Sequence, residues 1–145
     1  MSTADHWRSI EGAQALYDWF GYWPSFNDAE VVSLQLHRSA SSMLTLYTWE
    51  TTDELDSCGY HTHSKDVVVD FSLHGITDLS IGGFAANNVI AGLEIERNGH
   101  GLRLELKPCY GIAGAIEAAH ITLRVTPGKP TDYVGVQSGI KLPGR

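Results

Sequence analysis

The chain has little cysteine and no long apolar run, and these two absences exclude several classes of protein. Cys58 and Cys109 are the two cysteines among 145 residues, too few for the disulfide framework of a small secreted protein. The first residues lack the apolar stretch of a secretory signal. No apolar run approaches the roughly 20 residues that a membrane-spanning helix needs. We therefore predict a cytoplasmic protein with reduced thiols and no membrane partner.

Basic residues are also scarce. Ten Lys and Arg stand against 17 Asp and Glu, so the formal net charge is -7. The basic residues are scattered, whereas binding to a phosphate backbone requires clustered positive charge. We therefore expect no nucleic-acid partner. An acidic protein is suited to fast encounter with a basic protein partner.

The N-terminal part of the sequence predicts one helix. Apolar residues recur at spacings of three and four over residues 7–20, as on the buried face of a helix. Asp5 is a suitable residue before its start, and Gly21 is a suitable stop. Pro24 prevents any regular continuation.

The rest of the sequence predicts strands, because apolar and polar residues alternate with a period of two. The dipeptide Asn98-Gly99 predicts a tight hairpin between two of them. The polar residues 50–65 read as a surface loop, and the Gly- and Pro-rich residues from about 127 as a loose tail. The predicted strands are 30–38, 43–49, 66–75, 76–83, 89–97, 102–107 and 117–126.

Strands at such short spacing leave no room for the helices that connect parallel strands. The length fits one domain, residues 1–145. The predicted fold is therefore α+β, with the N-terminal helix packed on a curved, mainly antiparallel sheet of about six to seven strands.

Two groups of residues contain the types that bind metals or act as nucleophiles. Cys58, His61 and His63 are zinc-ligand types, but no second pair of ligands follows at a standard spacing. Neither cysteine is surrounded by the local signature of a catalytic nucleophile. The sequence therefore predicts no metal, no cofactor and no catalytic residue.

The residues "YWPSFNDAE" (22–30) join the helix to the first strand. Asn27 and Asp28 are residue types that accept hydrogen bonds from the backbone of a turn. In a structural interpretation, the residues of this junction fix the angle between the helix and the strand. In a functional one, Asn27, Asp28 and Glu30 form a polar site or a contact surface. The junction comprises Trp23, Pro24, Phe26, Asn27, Asp28 and Glu30.

The stretch "YWPSFNDAEVVSLQLHR" resembles the start of the Immunity protein 50 family, which reads aromatic-P-S-F-H-D-A-E-V/I. The upstream "ALYDWFGYWP" matches as well, so the resemblance covers residues 16–38. It implies a small intracellular antidote that binds a bacterial toxin without catalysis. Asn27 replaces the usual His of the motif. Because an amide does not titrate near neutral pH, the replacement favours an architectural or contact role.

The resemblance leaves the contact residues open. Loops often carry recognition, so Asp53, Glu54 and Asp56 are the candidate contacts with a toxin. These acids are explained equally well by a solvated loop that contacts no partner. The alternative function is a small cytosolic enzyme or ligand-binding protein with a polar site near Asp28 and Glu30. A structural or regulatory binding module is a third interpretation.

Overall fold

The computed structural model describes residues 3–131. A 3-10 helix (Thr3–Ser9) and an α-helix, α1 (Ala13–Phe20), precede six strands. None of these helices is both long and apolar enough to cross a bilayer. The strands are β1 (Glu30–Gln35), β2 (Ser42–Leu55), β3 (His61–Gly82), β4 (Val89–Asn98), β5 (Gly101–Tyr110) and β6 (Ala113–Pro127).

The six strands pair antiparallel in the order β1-β2-β3-β6-β5-β4 and close into a barrel. The predicted α+β class and antiparallel sheet are confirmed. The sheet curves far enough for its two edge strands to pair. Closure occurs between β1 and β4, where Glu30 pairs with Val89. We call this short pairing the seam.

The predicted helix over residues 7–20 is two shorter helices. Gly12, with φ of 92°, separates them. A Cβ on this residue would lie 2.1 Å from the carbonyl oxygen of Leu123, and the Leu123 amide donates to the Glu11 carbonyl oxygen at 2.8 Å. Contact with β6 therefore interrupts the helix, and Asp5 does not cap α1. Gly21 ends α1 as predicted, donating from its amide to Tyr17 at 2.7 Å.

Two predictions about β3 are corrected. The predicted strands 66–75 and 76–83 are one strand, because the register shift after Ile76 and the positive φ of Gly75 bend it without ending it. The predicted loop 50–65 is largely strand: its first residues prolong β2 and its last begin β3.

The predicted hairpin between β4 and β5 is confirmed. Asn98 pairs with Gly101, so Gly99 and His100 are the turn residues. In β5, Leu102, Leu104 and Leu106 are buried and alternate with more exposed residues.

The first residues of the predicted loose tail, Pro127 and Gly128, are paired with or hydrogen-bonded to β3. Pro127 pairs with Val67, and the Gly128 amide donates to the Asp66 carbonyl oxygen at 2.8 Å. The part of the predicted tail after residue 131 lies outside the described residues.

One hydrophobic core joins the barrel and the N-terminal helices. The buried face of α1, formed by Ala13, Leu16 and Phe20, belongs to the same cluster as the inward residues of the strands. Trp7 of the 3-10 helix belongs to it as well. The helices therefore fix the orientation of the connection that leads to β1.

Candidate functional site

Strands β2 and β3 extend past the other strands as a hairpin, residues 50–65, which we call the arm. Its pairs include Glu50 with Ser64 and Leu55 with His61. Every residue of the arm is exposed or half-buried. Because neither face of the arm is covered, its sequence lacks the apolar alternation that marks a half-buried strand, and this is why the strands were missed.

The tip of the arm is a turn organised by Asp56. The Asp56 carboxylate accepts hydrogen bonds from the amides of Cys58 at 2.9 Å and Tyr60 at 3.0 Å. The Asp56 amide donates to the Tyr60 carbonyl oxygen at 2.8 Å, and Gly59 takes a positive φ of 87°. Asp56, a candidate contact from the sequence, therefore also shapes the turn.

The arm presents apolar and acidic side chains side by side. Leu55 is 59% exposed and Tyr60 72% exposed, and both adjoin the turn. Asp53 and Glu54 are exposed on the same arm. Exposed aromatic and aliphatic groups provide anchors for a protein partner, and the acids attract basic groups. Leu55 and Tyr60 were missed from the sequence, where large apolar residues within a polar stretch were the available signal.

The histidines of the arm make local contacts. The His61 Nδ1 lies 2.9 Å from the Thr52 carbonyl oxygen. The His63 ring stacks on Trp49, with ring centroids 4.6 Å apart. Cys58 is exposed at the tip. Among residues 3–131, no three His, Cys, Asp or Glu side chains are arranged to hold a metal ion, and the absence of a functional metal stays a prediction.

The C-terminal end of α1 holds the base of the arm. The Trp19 indole donates to the Lys65 carbonyl oxygen at 2.8 Å, and the Tyr22 hydroxyl donates to Glu50 at 2.5 Å. The Lys65 ammonium lies 3.7 Å from the Glu50 carboxylate and 3.5 Å from the Phe20 carbonyl oxygen. These contacts tie both strands of the arm to the helix, so the arm starts from a fixed position.

The aromatic residues of the junction form a continuous stack with the N-terminal helices. Trp23 lies parallel to Trp7, with centroids 4.8 Å apart, and meets Phe26 edge-on at 5.9 Å. Phe26 is 1% exposed and contacts Phe71 of β3. Pro24, which stands between Trp23 and Phe26 in the chain, is also buried. The aromatic residues thus anchor the junction on the core.

The polar residues of the junction act through their backbone. Asp28 has a φ of 69°, and its amide donates to the Ile90 carbonyl oxygen at 2.9 Å. The Asn27 amide donates to the Ser25 hydroxyl at 3.2 Å. Both side chains are exposed. Within the described part of the chain, neither side chain accepts the expected hydrogen bonds from turn amides. The shape of the junction therefore depends on the left-handed backbone and its hydrogen bonds.

Glu30 lies at the seam and is half-buried. Burial raises the pKa of its carboxyl group. Two further bonds flank it, from the Ile90 amide to Ala29 at 3.0 Å and from the Val31 amide to Asn88 at 2.9 Å. Glu30 is therefore part of barrel closure.

A groove of about 510 Å³ lies beside the junction, along β4. We call it the β4 groove. Asp28 and Glu30 are not among the residues that line it, so the polar residues of the junction do not converge on this cavity. Its lining residues are Trp7, Trp23, Pro24, Ser25, Ala91, Gly92, Leu93, Glu94, Ile95, Glu96 and Lys107.

Comparison with known families agrees with the resemblance at the junction. The model of the Immunity protein 50 family matches residues 12–127, which include α1, the arm and all six strands. The chain matches no curated protein and no solved structure. Because the family match spans most of the chain, the protein belongs to the Immunity protein 50 family.

Proposed function

We propose that the protein is an antidote that binds and neutralises a cognate bacterial toxin in the cytoplasm, without catalysis and without a cofactor. The observation that carries this proposal is the family match over residues 12–127. Binding alone is sufficient for neutralisation, since a tightly bound protein occludes an active site or holds a toxin in an inactive conformation.

The arm is the proposed contact surface for the toxin. It combines two exposed apolar anchors, Leu55 and Tyr60, with the acids Asp53 and Glu54. The contacts of Trp19 and Tyr22 with its base hold it in place before binding. A surface that is ordered before binding loses less conformational entropy when the complex forms.

The charge of the arm favours a basic surface on the toxin. Glu50, Asp53, Glu54 and Asp56 are acidic, whereas Lys65 is the one basic residue other than histidine within residues 50–65. Complementary charges accelerate encounter and disfavour acidic partners. The toxin's contact surface is therefore proposed to be basic, with an apolar recess for Tyr60.

A small-ligand site near Asp28 and Glu30 is the weaker alternative. The side chain of Asp28 is exposed and that of Glu30 is half-buried at the seam. Ligand sites enclose their ligand and converge on it with several polar groups, and these two residues do not line the β4 groove.

Co-expression in a sensitive host tests the proposal. Each toxin-like protein encoded next to this gene is expressed with and without the antidote, and growth and complex formation are measured. We expect growth to be restored by the wild-type chain and lost with a Leu55→Ser, Tyr60→Ser variant. Leu36→Ser is the matched control, because Leu36 is 53% exposed and lies between β1 and the start of β2, whereas the arm is at the other end of β2.

Equal growth arrest with and without the wild-type chain, together with no association of the purified proteins at about 1 μM, would contradict toxin neutralisation. Restored growth with both the arm variant and the control would instead move the contact away from the arm.

A further inference from the structure

The β4 groove contains an open position on a strand edge. Residues two apart on a strand direct their backbone groups to the same edge. On the edge away from β5, the Leu93 amide donates to the Ser25 carbonyl oxygen at 3.2 Å. The Arg97 amide donates to the His6 Nδ1 at 3.2 Å. Ile95 lies between them, lines the groove and is 7% exposed, with its side chain in the core cluster. Its backbone makes no hydrogen bond on this edge within the described residues.

The junction explains why the edge is open. β1 begins at Glu30, opposite Val89, so beyond the seam β4 is flanked by the junction, through Asp28 at Ile90 and Ser25 at Leu93, and not by a strand. Ser25 and His6 satisfy one amide each, at either end of the opening. The backbone N–H and C=O of Ile95 are therefore available to hydrogen-bond with one residue of another chain.

The side chains beside this opening are acidic. Glu94 and Glu96 flank Ile95 and line the groove. The Glu94 carboxylate is 3.6 Å from the Lys107 ammonium, which also lies 3.5 Å from Glu105. Glu96 makes no ion pair within the described residues, although it is opposite Arg103.

Arg103 is opposite Glu96 but forms its ion pairs with two other carboxylates. The Arg103 guanidinium is 3.0 Å from Glu105 and 3.7 Å from Glu117. Its hydrogen bond with Glu105 also raises the pKa of Arg103 further. Arg103 also attracts Glu96 electrostatically, but no ion pair holds Glu96 within the described residues, so its carboxylate remains available to a basic group from outside.

The other wall of the groove is aromatic. Trp23 and Pro24 line it together with Trp7, whose ring is stacked on Trp23. In an added antiparallel strand, a residue opposite Ile95 places its side chain on the same face as Ile95, and its two neighbours point to the other face. The middle side chain would meet apolar surface, and the outer two would meet Glu94 and Glu96.

We propose that the β4 groove binds an extended segment of a partner protein by strand addition, with a basic–apolar–basic sequence. The middle residue exchanges backbone hydrogen bonds with Ile95. The two basic side chains lie beside Glu94 and Glu96. This site is distinct from the arm, and the proposal does not depend on the arm's role.

The test uses the peptide acetyl-TTKVKTT-amide and the isotope-labelled full chain. Addition of the peptide is expected to shift the amide resonance of Ile95 and the indole resonances of Trp7 and Trp23. The peptide with an N-methylated valine lacks the middle donor and should bind about fivefold more weakly. Glu96→Gln should weaken binding about two- to fivefold, as expected for an exposed ion pair. Asp78→Asn, at an exposed position of β3 that does not line the groove, should leave binding unchanged.

Absence of any shift at Ile95 with about 5 mM peptide, at which a complex with a dissociation constant of about 1 mM is mostly formed, would overturn the proposal. Equal binding of acetyl-TTEVETT-amide would also overturn it, since the acids would then not select the segment. Shifts at Ile95 that appear on raising the protein concentration alone would assign the groove to a second copy of this chain instead.

Discussion

Tyr22 and Glu50 are 28 residues apart in the chain, and the Tyr22 hydroxyl donates a 2.5 Å hydrogen bond to the Glu50 carboxylate. Tyr22 follows Gly21, the residue that ends α1, and Glu50 is the first residue of the arm. The bond therefore connects the position of the arm to the end of the helix. Burial and the bond to Glu50 together raise the pKa of Tyr22 to about 12.

Tyr22→Phe should loosen the arm with a small effect on the whole protein. Tyr22 is 44% exposed, so we expect the free energy of unfolding to fall by about 1 kcal/mol or less. Amide exchange should become faster in the arm. Tyr60→Phe is the control, because Tyr60 donates no side-chain hydrogen bond within the described residues. Unchanged exchange in Tyr22→Phe would show that the helix does not hold the arm.

The same bond predicts a pH dependence in alkaline solution. The pKa of Tyr22 is raised from 10.0 in the unfolded chain to about 12 in the fold. Its contribution to stability is therefore complete below pH 10 and is lost as the pH rises toward 12. Ultraviolet titration should show a late tyrosine ionisation that is absent from Tyr22→Phe.

Glu30→Gln should stabilise the protein at neutral pH. Because burial raises the pKa of Glu30, the group favours the fold below its unfolded pKa of 4.5 and opposes it as the pH rises through the folded pKa. The variant's midpoint of thermal unfolding should exceed that of wild type at neutral pH, and the difference should vanish near a pH of about 4. Glu54→Gln, at an exposed position of the arm, is the control for the substitution itself. A destabilised Glu30→Gln would mean that the charge itself supports the seam.

Gly12→Ala should destabilise the protein more than Gly21→Ala. Both glycines have a positive φ, but only at Gly12 would a Cβ meet backbone, the Leu123 carbonyl oxygen at 2.1 Å. We expect a loss of about 3 kcal/mol or more at Gly12, where strain adds to a displaced strand contact. At Gly21 we expect about 1 kcal/mol from strain alone. Equal losses in chemical denaturation would show that the contact with β6 is easily shifted.

Asp28→Asn should leave stability within about 0.5 kcal/mol of wild type, because the Asp28 carboxylate accepts no hydrogen bond from the described residues. Asp28→Ala should cost about 1 kcal/mol, since alanine tolerates a φ of 69° less well than Asp or Asn. Thermal and chemical unfolding measure both. A loss in Asp28→Asn equal to that in Asp28→Ala would assign the effect to the charge.

The acids and the apolar anchors of the arm should affect toxin binding differently. Asp53→Asn combined with Glu54→Gln should slow association several-fold and reduce its dependence on salt, with little change in dissociation. Tyr60→Ser should instead accelerate dissociation about tenfold, as for a truncated anchor residue. Surface plasmon resonance at two salt concentrations separates the two rates. Unchanged rates in both variants would exclude the arm from the interface.

The strands with one buried face could be predicted from the sequence. In β5 the alternation of Leu102, Leu104 and Leu106 with polar residues follows the barrel interior, and Asn98-Gly99 lies at the predicted hairpin, with the turn centred one residue later. These features depend on neighbours in the chain, so local patterns are sufficient to find them.

The features that depend on distant residues could not be predicted. The break at Gly12 is caused by Leu123, and the closure of the barrel by the pairing of Glu30 with Val89. Asp53 and Glu54 lie on the arm, which was predicted as a loop, and their role as contacts stays a prediction. The contacts of Trp19 and Tyr22 with the arm have no signature in the local sequence.

The seam also bears on the order of events in folding. Its partners, Glu30 and Val89, are far apart in sequence, and β2 and β3 lie between them. Contacts of such long sequence separation form late, because a long loop loses entropy before the pairing compensates for it. We expect the four hairpin pairings β1–β2, β2–β3, β4–β5 and β5–β6 to form first. The slowest step would then be the arrival of β4 at β1, and a substitution at Val89 should slow folding less than it speeds unfolding.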